Sequence, residues 1–388
     1  NYDYTETYHR RIVKASSMTG FIHFKDVGQA STGNHQSTLV SSGTHVFTEK
    51  AAIMNQPSQA AEIIDYYYPG ESVHYDQTLE KDGRITLKTI EMGGTDADKP
   101  RWLQTLYEVS DLGEYDLIIC GTYQMPDFLK EVATKYPDQK YAIFDDNTYA
   151  GENKNVLNLT YKQNELGYII GTLAASMTTD TSVERINPEK VIGFVGGVDS
   201  PVINDFLYGY ITGAQNVDPE IKVDTRYTND YVDTAIAKEY GLSMISDNKA
   251  DIIWGVAGNA GNGAAEAALE KNTAWFIGVD SDQEATFSPD LAAITLTSGL
   301  KNVGNSLIWV FDEWDAGREH WGTEVTLGLK ENGVGVVTDK NFDKYASQAT
   351  KDKVNEAIQA ILDGKVEVPT ALGNTSKDLE TLREKVRP

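Results

Sequence analysis

The sequence predicts an α/β protein built on more than one mostly parallel sheet. Three observations carry this. Short apolar runs recur along the chain with helix-patterned segments between them; the runs are near-continuous rather than alternating; and nearly all of them end on Asp, Asn, Gly or Ser. Continuous apolar strands alternating with helices belong to parallel sheets covered on both faces.

In chain order the runs are TGFIHF (19–24), DLIICG (116–121), YAIFDD (141–146), NVLNLTY (155–161), KVIGFVGG (190–197), DIIWGVAG (251–258), WFIGVD (275–280) and LAAITLT (291–297). The intervals MPDFLKEVATKY, QNELGYIIGTLAASM, PVINDFLYGYITGAQ, NGAAEAALEKN and LKNVGNSLIWVFDEW place apolar residues three and four apart, as amphipathic helices do. Residues 40–100 are polar and Tyr-rich and read as a long surface excursion, and residues 1–18 as a polar N-terminal extension. No repeat of fixed period is present.

At 388 residues, 40% hydrophobic and 24% charged, the chain is a folded protein of about two domains. A net charge of −24 excludes nucleic acid as a partner, since binding phosphates needs a basic footprint. No apolar stretch approaches the ~18 residues of a membrane span, and the start NYDYTETYHRR is no signal peptide. Cys120 ends a strand run and reads as buried filler, without a partner for a disulfide.

Parallel sheets gather binding groups on the loops beyond their strands' carboxyl ends. The residues there are Asp26, Asp145 and Asp146, Gly196, Gly197 and Asp199, Gly258 and Asn259, Asp280, and Ser298. Each is also a favoured helix N-cap, so a single one says little. A set on one rim says more.

Enzyme signatures fail on the same loops. GNAGNG (258–263) has the outer glycine spacing of a phosphate loop but continues with Ala264 and Ala265 where Lys and Ser/Thr are required. DSDQEATFSPDL as a calcium loop has Ala285 at the turn glycine and Leu291 at the bidentate Glu. The six histidines form no HExxH, and no Ser lies in a GxSxG elbow. No catalytic constellation, metal site or cofactor is expected.

The segments KVIGFVGGVDSPVINDFLYGYITGAQNVDPEIKV (190–223), GVAGNAGNGAAEAA, IGVDSDQ, TSGLKNVGNSL, TLGLKENGVGV and KVNEAIQAILDGKVEVP follow in the order and spacing of the basic membrane protein family, which the chain resembles over roughly residues 115–370. These are solute-binding lipoproteins of ABC transporters, many of them purine-nucleoside receptors. The resemblance implies a two-lobed type I periplasmic-binding-protein fold with three crossings. Lobe 1 is then expected at 19–160 plus 297–322, and lobe 2 at 161–296 plus 323–388. Asp280 takes vicinal hydroxyls by paired charge-assisted hydrogen bonds, with Asp282 capping the next helix. By resemblance Lys301 contacts the sugar, Asp145 the base edge, and Phe206 is one of two aromatic plates. Trp254 and Gly258 share the rim.

One departure stands out. After its first strand the family carries a Ser-Phe-Asn run that supplies the second plate. Here residues 24–38, FKDVGQASTGNHQST, have no Phe after Gly28, and Asn34 and His35 take those places. The expected function is the extracytoplasmic solute-binding component of an ABC importer. It clamps a nucleoside-like molecule between its lobes, is monomeric, is held to the membrane by an upstream lipid anchor and docks on an ABC permease. The alternatives are a sugar, flavin or signalling ligand in the same fold, and a nucleoside-processing hydrolase, which would need calcium-holding aspartates.

Overall fold

The computed structural model describes residues 98–121, 124–372 and 376–388, and before them the backbone of six strands. The chain divides into two units, Asn1–Lys99 and Pro100–Pro388.

The first unit is an antiparallel sheet of β1 (Tyr8–Ile12), β2 (Thr19–His23), β3 (Ser41–Val46), β4 (Ala51–Met54), β5 (Ile63–Tyr67) and β6 (Ser72–Leu79), ordered β3-β6-β1-β2-β4-β5. This corrects three expectations. Residues 8–12 form a strand rather than part of an extension; residues 19–23 pair with β1 and β4 instead of heading a parallel sheet; and 40–100 holds four strands rather than one excursion. The cause is common to all three. Antiparallel strands need no continuous apolar run, so YHRRI carries no signal, and an isolated run such as TGFIH does not reveal its partner's direction.

The second unit holds two sheets. In the first, β7 (Leu117–Gly121), β8 (Lys140–Phe144), β9 (Val156–Tyr161) and β15 (Glu324–Leu327) run parallel in the order β15-β9-β8-β7, with α1 (Lys99–Leu112) before β7 and α2 (Pro126–Lys135) between β7 and β8. In the second, β10 (Val191–Gly196), β11 (Lys222–Tyr227), β12 (Ile252–Val256), β13 (Trp275–Asp280) and β14 (Thr295–Lys301) are parallel, and β16 (Val334–Val336) closes the edge antiparallel, in the order β11-β10-β12-β13-β14-β16. Its helices include α3 (Gln163–Thr178), α4 (Pro201–Val217), α5 (Thr234–Ser246), α6 (Asn262–Lys271), α7 (Gln283–Thr286) and α8 (Pro289–Ala292). After β14 come α9 (Val303–Asp315), α10 (Lys340–Tyr345), α11 (Gln348–Leu362) and α12 (Ser376–Val386). The expected mostly parallel sheets flanked by helices are present.

The chain passes between the sheets three times: at Lys162 from β9 into α3, at Asn302 from β14 into α9, and through residues 328–333 from β15 to β16. Two expected lobe boundaries fall early. β14 runs past 297 to Lys301 within the second sheet, and β15 lies beyond 323 in the first. Ser298 reads as a strand end, yet it is fully buried within β14, and the next residue, Gly299, sits against Leu166, where a side chain would crowd α3.

Every residue of α3 is buried, under α4, α11 and the second sheet. Two apolar helices come this close only where neither has side chains between the backbones. A methyl at Gly167 or Gly171 would overlap the carbonyl oxygens of Phe206 or Tyr210, and one at Gly209 or Gly213 those of Asn164 or Tyr168. The four glycines, spaced i, i+4 on each helix, interlock reciprocally. Each glycine costs about 1 kcal/mol of helix propensity, which backbone dispersion and Cα–H···O contacts offset.

We expect Gly171→Ala, although a better helix former, to lower stability by about 3 kcal/mol or more, at the upper end of overpacking costs. Thermal unfolding checks this, and an unchanged or raised Tm would show that the helices can part without penalty.

Beneath the second sheet, Asp251 is completely buried and accepts hydrogen bonds from Thr178 Oγ1 at 2.7 Å and Asn187 N at 3.1 Å. Burial pushes its carboxyl up to about 7, against these two donors. An acid whose pKa is raised on folding holds a proton that the unfolded chain has released. Its stability contribution is therefore fully present below about pH 4 and lost as pH rises towards 7. Asp251→Asn keeps both partners, because its amide oxygen accepts from Asn187 and its NH2 donates to the Thr178 hydroxyl. Urea midpoints of the wild type should fall relative to this variant between pH 4 and 7. Parallel curves would mean that Asp251 is ionised in the fold.

Candidate functional site

Strand ends build the site. Four strands terminate in left-handed backbone: Asp145 (φ 63°) after β8, Asn229 (φ 55°) after β11, Gly258 (φ 55°) after β12 and Asp280 (φ 65°) closing β13. Asn, Asp and Gly are the residues that adopt this conformation at least cost. The local sequence thus explains why the chain turns sharply off each sheet there.

Lys301, at the end of β14, joins the carboxyl ends of the two sheets. Its Nζ lies 2.6 Å from Asp145 Oδ2 of the first sheet and 3.6 Å from Asp280 Oδ1 of the second. It also stands 5.8 Å from the centre of the Tyr161 ring. Burial works against the ammonium's charge, but the carboxylates of Asp280 and Asp145 outweigh it and hold its pKa above the ordinary lysine value. Tyr161 donates to or accepts from Ser306 Oγ at 2.8 Å, and burial pushes its phenol up to about 12, so it stays neutral. Asp145 Oδ1 is buried and has no hydrogen-bond partner among the described residues. Asp280 stays half-exposed, with 48% of its side chain accessible. The group offers carboxylate acceptors beside one cation, a set suited to a ligand rich in hydroxyl or amide donors.

Asp146 is turned away from this group. It accepts from Thr148 N at 2.7 Å and from the Thr148 hydroxyl, an Asx turn that shapes the loop after β8. Asp282 caps α7 and pairs with Lys340.

The structure brings Asp145, Asp280 and Lys301 together and sets Gly258 on the second sheet's rim. Two other expected residues lie elsewhere. Phe206 is 2% exposed and Trp254 fully buried, their rings in a T-shaped contact at 5.8 Å, with Tyr210 and Phe194 packed on the same indole. Trp254 Nε1 donates to Gly278 O at 3.0 Å. Both are core residues, so neither offers a face to a ligand. Phe206 and Tyr210, four apart, form the inner stripe of α4, while Trp254 belongs to a central strand. Asn34 and His35 lie outside the described residues.

A rim aromatic escaped the sequence reading. Tyr231, half-buried in the loop after β11, lays its ring over Gly197, where a methyl would overlap it, and its carbonyl accepts from Ala260 N at 3.0 Å beside Gly258. Its signal was an aromatic within a polar strand-end loop, TNDYVD, but β11 itself is a mixed edge strand without an apolar run.

Removing Lys301 tests the electrostatics. Lys301→Met should cost about 2 kcal/mol or more, below the ~3–5 kcal/mol of a fully buried pair because Asp280 is solvated. Adding Asp145→Asn should recover much of this, with a coupling of ~0.5–3 kcal/mol measured by urea unfolding. Additive losses would mean that the two groups do not interact.

Known proteins resemble this chain over most of its second unit. Residues 76–371 match the family described as "ABC transporter substrate-binding protein PnrA-like", and residues 37–93 match a bacterial SH3 domain. The chain is 33% identical over 271 residues to the "CD4+ T-cell-stimulating antigen" of Listeria innocua, covering 66% of this chain and 71% of that protein. It is 31% identical over 278 residues to the "ABC transporter nucleoside-binding protein BmpA" of Lactococcus lactis, covering 69% and 74%. A solute-binding protein of an ABC transporter from Aeropyrum pernix superposes with a TM-score of 0.59 at 25% identity, over 73% of this chain and 84% of that one.

Proposed function

Because the chain belongs to the PnrA-like family of ABC transporter substrate-binding proteins, working outside the cytoplasm with a permease, we propose that it binds a nucleoside-like molecule between the two sheets of its second unit. The observation that carries this is Lys301 held between Asp145 and Asp280 where the carboxyl ends of the two sheets meet. Two carboxylates around one ammonium leave a net negative site. Such a site favours a neutral ligand bearing several donors and repels a phosphorylated one.

In this reading Asp280, half-exposed, accepts a pair of vicinal hydroxyls, and the unpartnered Asp145 Oδ1 accepts a donor from the ligand's other end. Lys301 donates between them. In this reading Tyr231, half-buried at the second sheet's rim, takes the place proposed for Phe206 against a flat ring. The name of the Lactococcus lactis relative supports the nucleoside class. No helix among the described residues is long and apolar enough to cross a membrane. In this reading a lipid anchor attaches the protein to the membrane, and the two lobes, each formed around one of the sheets, dock on the permease as a monomer.

In this reading the protein works by closure. Ligand bound to one sheet alone is contacted by half the site, so only the closed arrangement makes both sets of hydrogen bonds, and ligand shifts the population towards it. The protein binds without chemical change in this reading, which distinguishes it from a hydrolase that would release free base.

Mass spectrometry of molecules released by denaturing the natively purified protein should yield a nucleoside, which calorimetry then confirms with inosine, adenosine and guanosine. Asp280→Asn preserves the left-handed turn but removes the charge. It should weaken binding roughly tenfold, the ~1–2 kcal/mol separating charged from neutral hydrogen bonds, and leave unliganded stability nearly unchanged. Unaltered affinity together with a large stability loss would make Asp280 a turn residue and no more.

A further inference from the structure

One carboxylate outside the site ties two of the three chain crossings together. Glu165 lies in the first turn of α3, directly after the first crossing, and is 8% exposed. Its Oε1 accepts from Lys162 Nζ at 2.9 Å, within the first crossing, and its Oε2 accepts from Leu329 N at 2.9 Å, within the third. Packing makes the second contact close: a methyl on Gly328 would overlap Glu165 Oε2, so that position has room for hydrogen only. The same junction is zipped by Lys162 N donating to Leu327 O at 3.0 Å.

The remaining crossing joins from the other side. Asn302 N donates to Gly333 O at 2.8 Å, and the side-chain amides of Asn302 and Asn305 both reach Asn332 O, at 3.1 and 3.3 Å. The 328–333 loop is itself drawn tight, with Gly333 N bonded to Gly328 O at 2.8 Å and Gly328 N to Glu331 Oε2 at 2.9 Å. Three strands of chain that could bend separately are therefore linked into one joint, and between first and third Glu165 adds a side-chain link to the backbone bond from Lys162 N to Leu327 O. A carboxylate at a helix N-terminus is favoured by the free N–H groups there, and its two hydrogen bonds hold Glu165 in a place where few glutamates are buried.

We propose that Glu165 is a positioning residue for ligand binding: by coupling the first crossing to the third it makes the lobes turn about one axis, and so sets how long the closed state persists. This rests on the two-lobed binding reading, but it concerns the joint and not the ligand contacts. A joint with independent strands allows the lobes to twist as well as open. Closed-state contacts at Asp145 and Asp280 would then break one at a time, and ligand would leave faster, while entry into the open cleft would be little changed.

The test has two arms. Spin labels at Asp138→Cys and Asp290→Cys, both exposed and on opposite sheets' connections, report the interlobe distance; the native Cys120 is buried. In unliganded protein, Glu165→Ala should broaden the distance distribution. Glu165→Gln, which keeps an acceptor for Leu329 N, should remain close to wild type. Lys162→Met, removing the more solvated half of the link, should broaden it partly and serves if Glu165→Ala does not fold. In stopped-flow binding of inosine, Glu165→Ala should raise the dissociation rate about tenfold with the association rate within twofold. A wild-type distance distribution in Glu165→Ala, or in Lys162→Met where only that variant folds, overturns the proposal whatever the ligand proves to be. So does equal behaviour of the Ala and Gln variants. Failure of every nucleoside to bind the wild type would count against the functional reading, and the distance arm would still decide the role of Glu165.

Discussion

A helix buried along its whole length has to be clamped by backbone, since it has no solvent face to anchor. In α3 the clamp is the reciprocal glycine contact with α4, and much of the second unit is arranged around it. Its N-terminal turn carries Glu165 into the crossings and presents Asn164, whose amide donates to Val368 O at 2.8 Å and whose N–H donates to Asp205 Oδ2 at 3.1 Å. Asp205, buried on α4, also takes Ala371 N at 2.8 Å and the Thr370 hydroxyl, so the segment before α12 is strapped to both helices at once. At the other end Thr178 reaches Asp251 beneath the sheet. Shift α3 and the joint, the strap and the floor of the sheet all move with it. Gly-to-backbone contacts permit no gradual adjustment, so this body behaves as rigid.

The rim works under the opposite constraint. Left-handed residues, buried charge and an unsatisfied carboxylate oxygen each cost stability, on the order of 1–3 kcal/mol where surroundings must hold them. They collect at Asp145, Asp280 and Lys301 because the sheets hold the strand ends whatever the side chains prefer. Lys301 moderates the cost in the unliganded protein by neutralising part of two carboxylates. Among the described residues it leaves Asp145 Oδ1 without a donor, and a buried acceptor of this kind suits a ligand's donor.

Much of the second unit was legible because parallel strands buried on both faces advertise themselves. KVIGFVGG, DIIWGVAG and WFIGVD each became a strand close to where the run lay. Mixed edge strands such as KVDTRY, with two hydrophobic residues in six and no apolar run, did not, and with β11 went the loop bearing Tyr231. Strand-end polarity picked out Asp145 and Asp280 correctly as rim residues, because a residue type that tolerates left-handed backbone is required there. Aromatic type carried no comparable positional signal. Phe206 and Trp254 satisfy the same patterns as core residues, and only burial distinguishes a plate from a packing partner. The hinge was invisible for a different reason: the partners of Glu165 are three residues away in one case and 164 in the other, and no local pattern encodes the second.

Rigid lobes, a strained rim and a linked joint together determine what a ligand must do. Moving an equilibrium from 1:99 to 99:1 takes about 5.5 kcal/mol of preference for the closed state. A hydrogen bond to a charged group contributes ~1.5–3 kcal/mol, so a ligand touching Asp280 alone binds without moving the lobes far. In the proposed reading, one that also reaches Asp145, on the other sheet, gains that contact only on closure, which supplies part of the required difference. Discrimination then lies in span more than in any single contact. On the proposed reading, a molecule with donors at both ends and a flat middle would close the protein, whereas a fragment of it would occupy one rim and leave from the open form.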